Sequence, residues 1–242
     1  MIKNFIRVLL DKAGVQLTLK KNLWYMDAYA VQKKIIDRKN PVIFDVGASE
    51  GSVVQLYKSI YPGASIHAFE PQPDSFAVLR KRVSGFEEVS CNNMALSDVR
   101  GEATFYKTQN YASSSLLPSI RSESFVDEHT TLAEKYNVEL DTLDHYTESR
   151  SIETIDILKM DVQGNELNIL KGGRELLKSG RIKVIYSEVW FIAAYDKQPF
   201  YEDIAIYLRE FGYLPFGLYN MHWDLKQKGK NLWADAIFLK DR

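Results

Sequence analysis

Asp45, Gly47, Ser49 and Gly51 fall at alternate positions of the segment Val42-Ile43-Phe44-Asp45-Val46-Gly47-Ala48-Ser49-Glu50-Gly51, and Glu70-Pro71 follows the apolar run Ile66-His67-Ala68-Phe69. An apolar run that breaks into glycines reads as a buried parallel strand turning sharply into a helix. Gly47 and Gly51 let the backbone approach a ligand without a Cβ in the way. The helix opening near Ser49 offers amide donors that suit a carboxylate. Asp45, two positions before the first glycine, can meet a cationic amine. Glu70, ending the next strand, can accept hydrogen bonds from both hydroxyls of a ribose. Together these residues suit a nucleoside that also carries an amine and a carboxylate.

A second group lies further along. Ile157-Leu158-Lys159-Met160-Asp161 ends a strand on a carboxylate, loops through Gln163-Gly164 and opens a helix at Glu166, while Glu188 ends the next strand in Tyr186-Ser187-Glu188. In a parallel sheet these carboxyl ends share one crevice. Asp161, then Glu188, are candidate general bases for a substrate hydroxyl, and His222 in Met221-His222-Trp223 is a third catalytic candidate. Asp161, Glu188 and Glu166 are alternatively candidate ligands of Mg²⁺, which takes oxygen donors. Glu166 also reads as a carboxylate favoured by a helix amino terminus. Lys159, flanked by apolar neighbours mid-strand, needs an acidic partner, for which Asp161, Glu166 and Glu188 are the candidates.

The glycines are spaced G-x-x-x-G, not G-x-G-x-x-G, and no Gly-Lys-Ser/Thr follows, which argues against a nicotinamide dinucleotide and against a phosphate-gripping loop. With Asp45 placed for a cationic amine, the nucleoside is read as S-adenosylmethionine. Its adenine would lie at the end of strand three, against Asn93, Ala95 and Leu96. Ser113-Ser114-Ser115 lacks the G-x-S-x-G context of a hydrolase nucleophile. His67, His129 and His145 show no zinc spacing.

These residues require a frame that delivers strand ends to one edge. Strands are expected over 42–46, 65–69, 89–94, 155–160 and 184–189, and helices over 52–60, from an Asp74 cap through Val83, over 165–178 and over 200–211. Residues 213–219 and 233–239 read as two closing strands, 103–106 and 136–140 as short strands, and the serine-rich 109–130 as a loop. The order predicts an α/β doubly wound, Rossmann-like sheet, mostly parallel with an antiparallel edge. Residues 1–40 carry two apolar stripes and read as a helical cap, followed by the cofactor-binding domain over 41–242.

Bulk composition narrows the class. The chain has 242 residues with 31 basic and 32 acidic side chains, so its near-neutral charge gives nucleic acid no electrostatic footprint. One cysteine, Cys91, leaves no disulfide framework and no multi-cysteine zinc site. No apolar run reaches the ~18 residues that a membrane-spanning helix needs. No cleavage pattern marks a secretory signal, so a cytoplasmic location is expected. The expected partner is a small molecule, with a homo-oligomer left open.

The ordered set Phe44-Asp45-Val46-Gly47-Ala48, Ala68-Phe69-Glu70-Pro71, Ala95-Leu96-Ser97-Asp98 with Gly101-Glu102, Ser114-Ser115-Leu116, Thr142-Leu143-Asp144, Lys159-Met160-Asp161-Val162 with Gly164 and Glu166, and Asp235-Ala236-Ile237-Phe238 resembles the FkbM-type methyltransferase family from about residue 41 to 239. That resemblance implies S-adenosylmethionine-dependent methylation of a hydroxyl on a sugar, glycan or polyketide-type metabolite. It departs from the family's usual pattern at Ser49, where asparagine is usual, and at Gln163, where glutamate is usual. A non-catalytic scaffold that keeps the nucleoside crevice is the alternative.

Overall fold

The computed structural model describes residues 23–120, 131–224 and 229–241. It divides into two units, residues 1–37 and 38–242. In the first unit a 3-10 turn at Trp24–Met26 leads into α1 (Ala28–Ile35), whose N-cap Asp27 accepts the Ala30 amide at 2.7 Å. The apolar stripe of Phe5, Ile6, Val8, Leu9 and Leu10 lies outside the described residues, as does His129.

Among the described residues the second unit has ten strands: β1 (Val42–Val46), β2 (Ser65–Phe69), β3 (Val89–Asn92), β4 (Ala95–Leu96), β5 (Gly101–Thr108), β6 (Leu132–Asp141), β7 (Ile155–Met160), β8 (Ile182–Trp190), β9 (Tyr213–Asp224) and β10 (Lys230–Lys240). Seven of them form one sheet in the order β3-β2-β1-β7-β8-β10-β9, in which only β10 runs against the others. That is the class I methyltransferase arrangement, with the order reversing between β1 and β7. The central strands are Val-, Ile- and Leu-rich and buried except at Val42 and Lys183 near their amino ends, as strands covered on both faces must be. Phe44, Leu158 and Ile185 form the main core with the helices α4 (Leu143–Ser149), α5 (Glu166–Lys171), α6 (Arg174–Lys178) and α7 (Tyr201–Arg209), while α2 (Ser52–Ile60) buries Val54 and Tyr57 and α3 (Pro73–Arg82) buries Leu79 outside that cluster.

Four local expectations change. Asp74 does not cap α3: Pro73, with φ already set for a helix, takes the first helical position and makes Gln72 the cap. Asp74 instead lies in the first turn, 2.7 Å from Lys107 Nζ. The helix expected over 165–178 breaks at Gly172-Gly173 into α5 and α6, and a Cβ on Gly172 would overlap the Ser97 carbonyl, so the break lets the chain pass close. The strand expected over 89–94 ends at Asn92, after which the chain leaves the large sheet. Ala95 and Leu96 then pair with β6 in a second sheet ordered β4-β6-β5, with its own small core of Ala95, Phe105, Val138 and Leu140. Helix α4, capped by Thr142, which accepts the His145 amide, has no counterpart in the sequence reading.

At the edge of the sheet away from the strands' carboxyl ends, buried Asp156 accepts the Val42 amide at 2.8 Å and pairs with Arg38 and Lys183 at 3.0 and 2.7 Å. No helix among the described residues is long and apolar enough to cross a membrane.

Candidate active site

The carboxyl ends of β1, β2, β4 and β7 surround a cleft that encloses about 710 Å³, part of it open to solvent. One wall is the turn after β1. Gly47 and Ala48 both donate their amides to the Phe69 carbonyl, at 3.0 and 2.9 Å, which pins the turn to the end of β2. Gly47 has φ +77 and a Cβ there would overlap the Asp161 carbonyl, so β1 and β7 approach closely only because the position is glycine. Ser49, the next wall residue, sits at φ +47, an uncommon conformation for a residue with a side chain.

Glu70 stands across from this turn, buried but on the cleft wall. Its Oε2 accepts the Ser49 amide and its Oε1 the Gln72 amide, each at 2.8 Å. A carboxylate oxygen takes two donors, so each oxygen keeps one acceptor site. Burial pushes the carboxyl up to about 7, against the pull of the two amides and Lys159. Pro71, Ala95 and Leu96 also line the cleft, joined by Met94 and Phe105. Asn93 is not on the wall: its Nδ2 donates to the carbonyls of Glu70 and Pro71 at 2.9 and 3.2 Å and so shapes the loop that bears them. Gly51 likewise stands behind the wall, as the left-handed residue that opens α2.

Asp45 is fully buried beneath the cleft rather than on its wall. Its direct cross-strand partner is Lys159, and Lys159 Nζ lies 2.9 Å from Asp45 Oδ1 while donating to the Gly47 carbonyl at 2.9 Å. The acidic partner that Lys159 requires is therefore Asp45. Burial raises the Asp45 carboxyl above its usual range despite the ammonium beside it.

The β7 end supplies Asp161, which lines the cleft together with Val162, Gln163 and Asn165. Gln163, at φ +58, donates Nε2 to Asp161 Oδ1 at 3.0 Å and to Glu188 Oε2 at 2.9 Å, and its Oε1 accepts the Tyr195 hydroxyl at 2.9 Å. Glu188 lies off the wall, where its Oε2 also accepts the Trp190 indole N–H at 2.9 Å. Burial first, then the charges of Asp161, Glu166 and Asp235, hold the Glu188 carboxyl well above its ordinary value. Glu166 is fully buried, with Oε1 accepting the Val162 and Gly164 amides at 3.0 and 3.3 Å, and burial pushes it up to about 7. Among the described residues no three His, Cys, Asp or Glu side chains come together as a metal-holding group. Asp161, Glu188 and Glu166 thus do not form the Mg²⁺ ligand set that their strand-end positions suggested: Glu166 is turned to its own loop and Glu188 to Gln163 and Trp190.

His222 is exposed on β9, stacked on Trp233 with ring centroids 4.5 Å apart, and is not on the cleft wall. His145 pairs with Asp141 at 2.8 Å and His67 with the Tyr146 hydroxyl at 2.9 Å, both as fold contacts. Cys91 is a half-buried free thiol that burial raises.

The remaining wall comes from the serine-rich segment. Ala112, Ser114 and Leu116 line the cleft. Ser115 holds them there, donating Oγ to the Gln163 carbonyl at 2.7 Å and exchanging backbone hydrogen bonds with Tyr106 at 2.8 and 3.1 Å. Pro118 and Ile120 pair with Asp196 and Ala194. The signal that could have placed this segment is the alternation Ala112, Ser114, Leu116, one small or apolar residue at every second position.

Residues 45–215 match the methyltransferase FkbM domain. The chain is 28% identical over 174 residues to the 2-O-methyltransferase NoeI of Sinorhizobium fredii, covering 69% of this chain and 68% of that protein. It is 29% identical over 177 residues to the 31-O-demethyl-FK506 methyltransferase FkbM of Streptomyces tacrolimicus, covering 63% and 66% respectively. An rRNA methylase structure from Streptococcus thermophilus superposes with a TM-score of 0.49 at 11% identity, over 94% of this chain and all of that one. The matched span begins at the Asp45 turn and includes the loop bearing Asp161, and the chain belongs to the FkbM family of S-adenosylmethionine-dependent methyltransferases.

Proposed function

We propose that this protein methylates a hydroxyl group of a sugar, glycan or polyketide-type metabolite. When bound, S-adenosylmethionine supplies a methyl group activated on a sulfonium. Glu70 would hold the ribose: its two oxygens are fixed by backbone amides and each retains an acceptor site for one of two neighbouring hydroxyls. Met94, Ala95, Leu96 and Phe105 give the apolar wall that suits a purine ring.

The observation that carries the reading is the position of Asp161. It is the one carboxylate of the Asp161–Glu188 pair on the cleft wall, and its Oδ2 has no hydrogen bond among the described residues. Asp161 Oδ2 would take the proton of the acceptor hydroxyl as the new C–O bond forms, which a neutral alcohol requires of its surroundings. Names of relatives support the acceptor class, since one is a 2-O-methyltransferase and another acts on a demethylated form of FK506.

The test is calorimetric titration with S-adenosylmethionine, followed by transfer of labelled methyl to a panel of hydroxylated sugars, glycans and polyketides, with and without Mg²⁺. Binding at micromolar concentrations that Glu70→Ala weakens, with transfer that Asp161→Asn removes, supports the reading. Binding without transfer to any acceptor supports a scaffold instead, and no binding overturns the cofactor assignment.

A further inference from the structure

Two carboxylates that face one another across a shared atom usually have a cation between them or a proton on one of them. Here the shared atom is a neutral amide nitrogen. Gln163 Nε2 lies 3.0 Å from Asp161 Oδ1 and 2.9 Å from Glu188 Oε2. The orientation of that amide follows from the two carboxyl oxygens, which accept from Nε2, and leaves Oε1 facing the Tyr195 hydroxyl, whose one proton is shared between Gln163 Oε1 and the Ser113 carbonyl. Tyr195 also reaches the Ser113 carbonyl at 2.9 Å, and the Gln163 backbone carbonyl accepts Ser115 Oγ at 2.7 Å. Tyr195 and Ser115 thus link the Gln163 loop to the cleft wall at 113–117. The left-handed backbone at 163 and the crowding around Gly164, where a Cβ would meet Gln198, Leu117 and Tyr195 at 3.2 to 3.5 Å, hold it in place.

We propose that the Gln163 side-chain amide occupies the bridging position of a divalent cation between Asp161 and Glu188, and so orients Asp161 toward the acceptor hydroxyl without a metal at that point. Gln163 is on this account a positioning residue, and the account rests on Asp161 being the acceptor-facing base. The amide leaves Asp161 Oδ2 for the acceptor by engaging Oδ1. It also accounts for Glu188 sitting so near a second acid: Glu188 Oε2 receives two N–H donors, from Gln163 and Trp190, while Oε1 is left to carry a proton. The burial and acidic neighbours that raise the Glu188 carboxyl act in the same direction. The substitution that discriminates is Gln163→Glu, which replaces the donor by a third carboxylate and turns the bridge into an oxygen-rich pocket of the kind that Mg²⁺ selects.

The experiment titrates MgCl₂, then MnCl₂, into the full chain and into Gln163→Glu, read by calorimetry and by the indole ¹⁵N–¹H resonance of Trp190, which reports its bond to Glu188. The wild-type protein is expected to show no saturable binding up to ~10 mM, and Gln163→Glu to bind with a Kd of roughly 1 mM or tighter, with the Trp190 resonance shifting in step. A second variant, Gln163→Met, keeps the side chain's length and removes the donor. In it the pH midpoint of the Trp190 resonance should move upward, since the two acids then face each other unbridged. Saturable Mg²⁺ binding by the wild type that Glu188→Gln or Asp161→Asn abolishes would overturn the proposal, as would an unmoved midpoint in Gln163→Met. If the protein binds no S-adenosylmethionine at all, the proposed function fails, and these titrations still decide the bridge.

Discussion

Lys159 and Asp45 are direct cross-strand partners on β7 and β1, and their charged ends meet at 2.9 Å beneath the floor of the cleft. The same ammonium donates to the Gly47 carbonyl, so one buried cation ties the two central strands to the glycine turn that walls the cofactor cleft. Asp45 is fully buried and Lys159 is 5% exposed, so neither charge can be hydrated if the other is removed. Removing one member of a buried pair typically costs 3–5 kcal/mol, roughly, whereas removing both with apolar replacements is far milder. Lys159→Met should therefore lower unfolding stability by about that amount, and Asp45→Leu/Lys159→Met should recover most of it. Urea unfolding followed by circular dichroism checks both.

The proposed role of Glu70 at the ribose gives cofactor binding a pH signature. Its carboxyl is raised to about 7, so at pH 6 it is mostly protonated and offers an O–H where the ribose needs an acceptor. Affinity for S-adenosylmethionine should rise as pH increases from 6 to 8, by up to roughly tenfold, and Glu70→Gln should flatten that profile. Calorimetry at a series of pH values in buffers of differing ionisation heat measures the slope and the proton released.

Stability of the unliganded protein should move the other way. Glu70 and Glu166 both titrate near 7 when folded against 4.5 ordinarily, so the folded state holds more protons than the unfolded state between those values. Their contribution is complete below about pH 4.5 and is lost as pH rises through 7, which amounts to about 3 kcal/mol between pH 6 and 8. Urea midpoints across that range should fall, and the fall should halve in Glu166→Gln. Midpoints that rise instead would show that both carboxyls are ionised in the folded protein at pH 6.

Asp161→Asn keeps the hydrogen-bonding shape near Gln163 and removes the base. Turnover should drop by roughly 10²–10⁴-fold with S-adenosylmethionine affinity nearly unchanged, the loss typical of a missing general base. Single-turnover methyl transfer, once an acceptor is found, separates this from a binding defect. An equal loss in cofactor affinity would mean that Asp161 serves the cofactor and not the acceptor.

At the far edge of the sheet, Asp156→Ala should do the opposite. It leaves the buried Val42 amide unpaired and removes the partner of Arg38 and Lys183, at a cost of about 2–4 kcal/mol, without touching the cleft. Thermal unfolding and cofactor titration of the same sample test the two halves of that statement together.

The large sheet was legible because its central strands are apolar on both faces and end in turn residues, a pattern that survives whatever packs beside them. Glu70 and Asp161 were legible for the same reason, being the polar residues on which such runs stop. The second sheet was not. Val89 to Met94 reads as one strand, and nothing local says that Asn92 is its last residue, since Asn92 owes its place to the Ala68 carbonyl and the Tyr146 hydroxyl, remote in sequence. Asp45 was read as facing a ligand because its spacing to Gly47 allows it. The register of β1 on β7, which brings Lys159 alongside, is a tertiary fact. Gln163 stood out only as an unusual residue type, and its three side-chain bonds involve partners from the ends of β7 and β8 and from the segment beyond.

The cleft is seamed by the pairing of β1 with β7, and the bond from the Val42 amide to Asp156 already spans 114 positions of chain. Contacts so distant in sequence form late, because a long loop must close before they return any free energy. During synthesis the β1 turn and Glu70 emerge well before Asp161, so a ribosome-bound half-chain has one wall of the site and no floor. A cofactor held as proposed by Glu70 on one wall and facing Asp161 on the other would meet its whole site only on the finished sheet, and would stabilise that state by mass action.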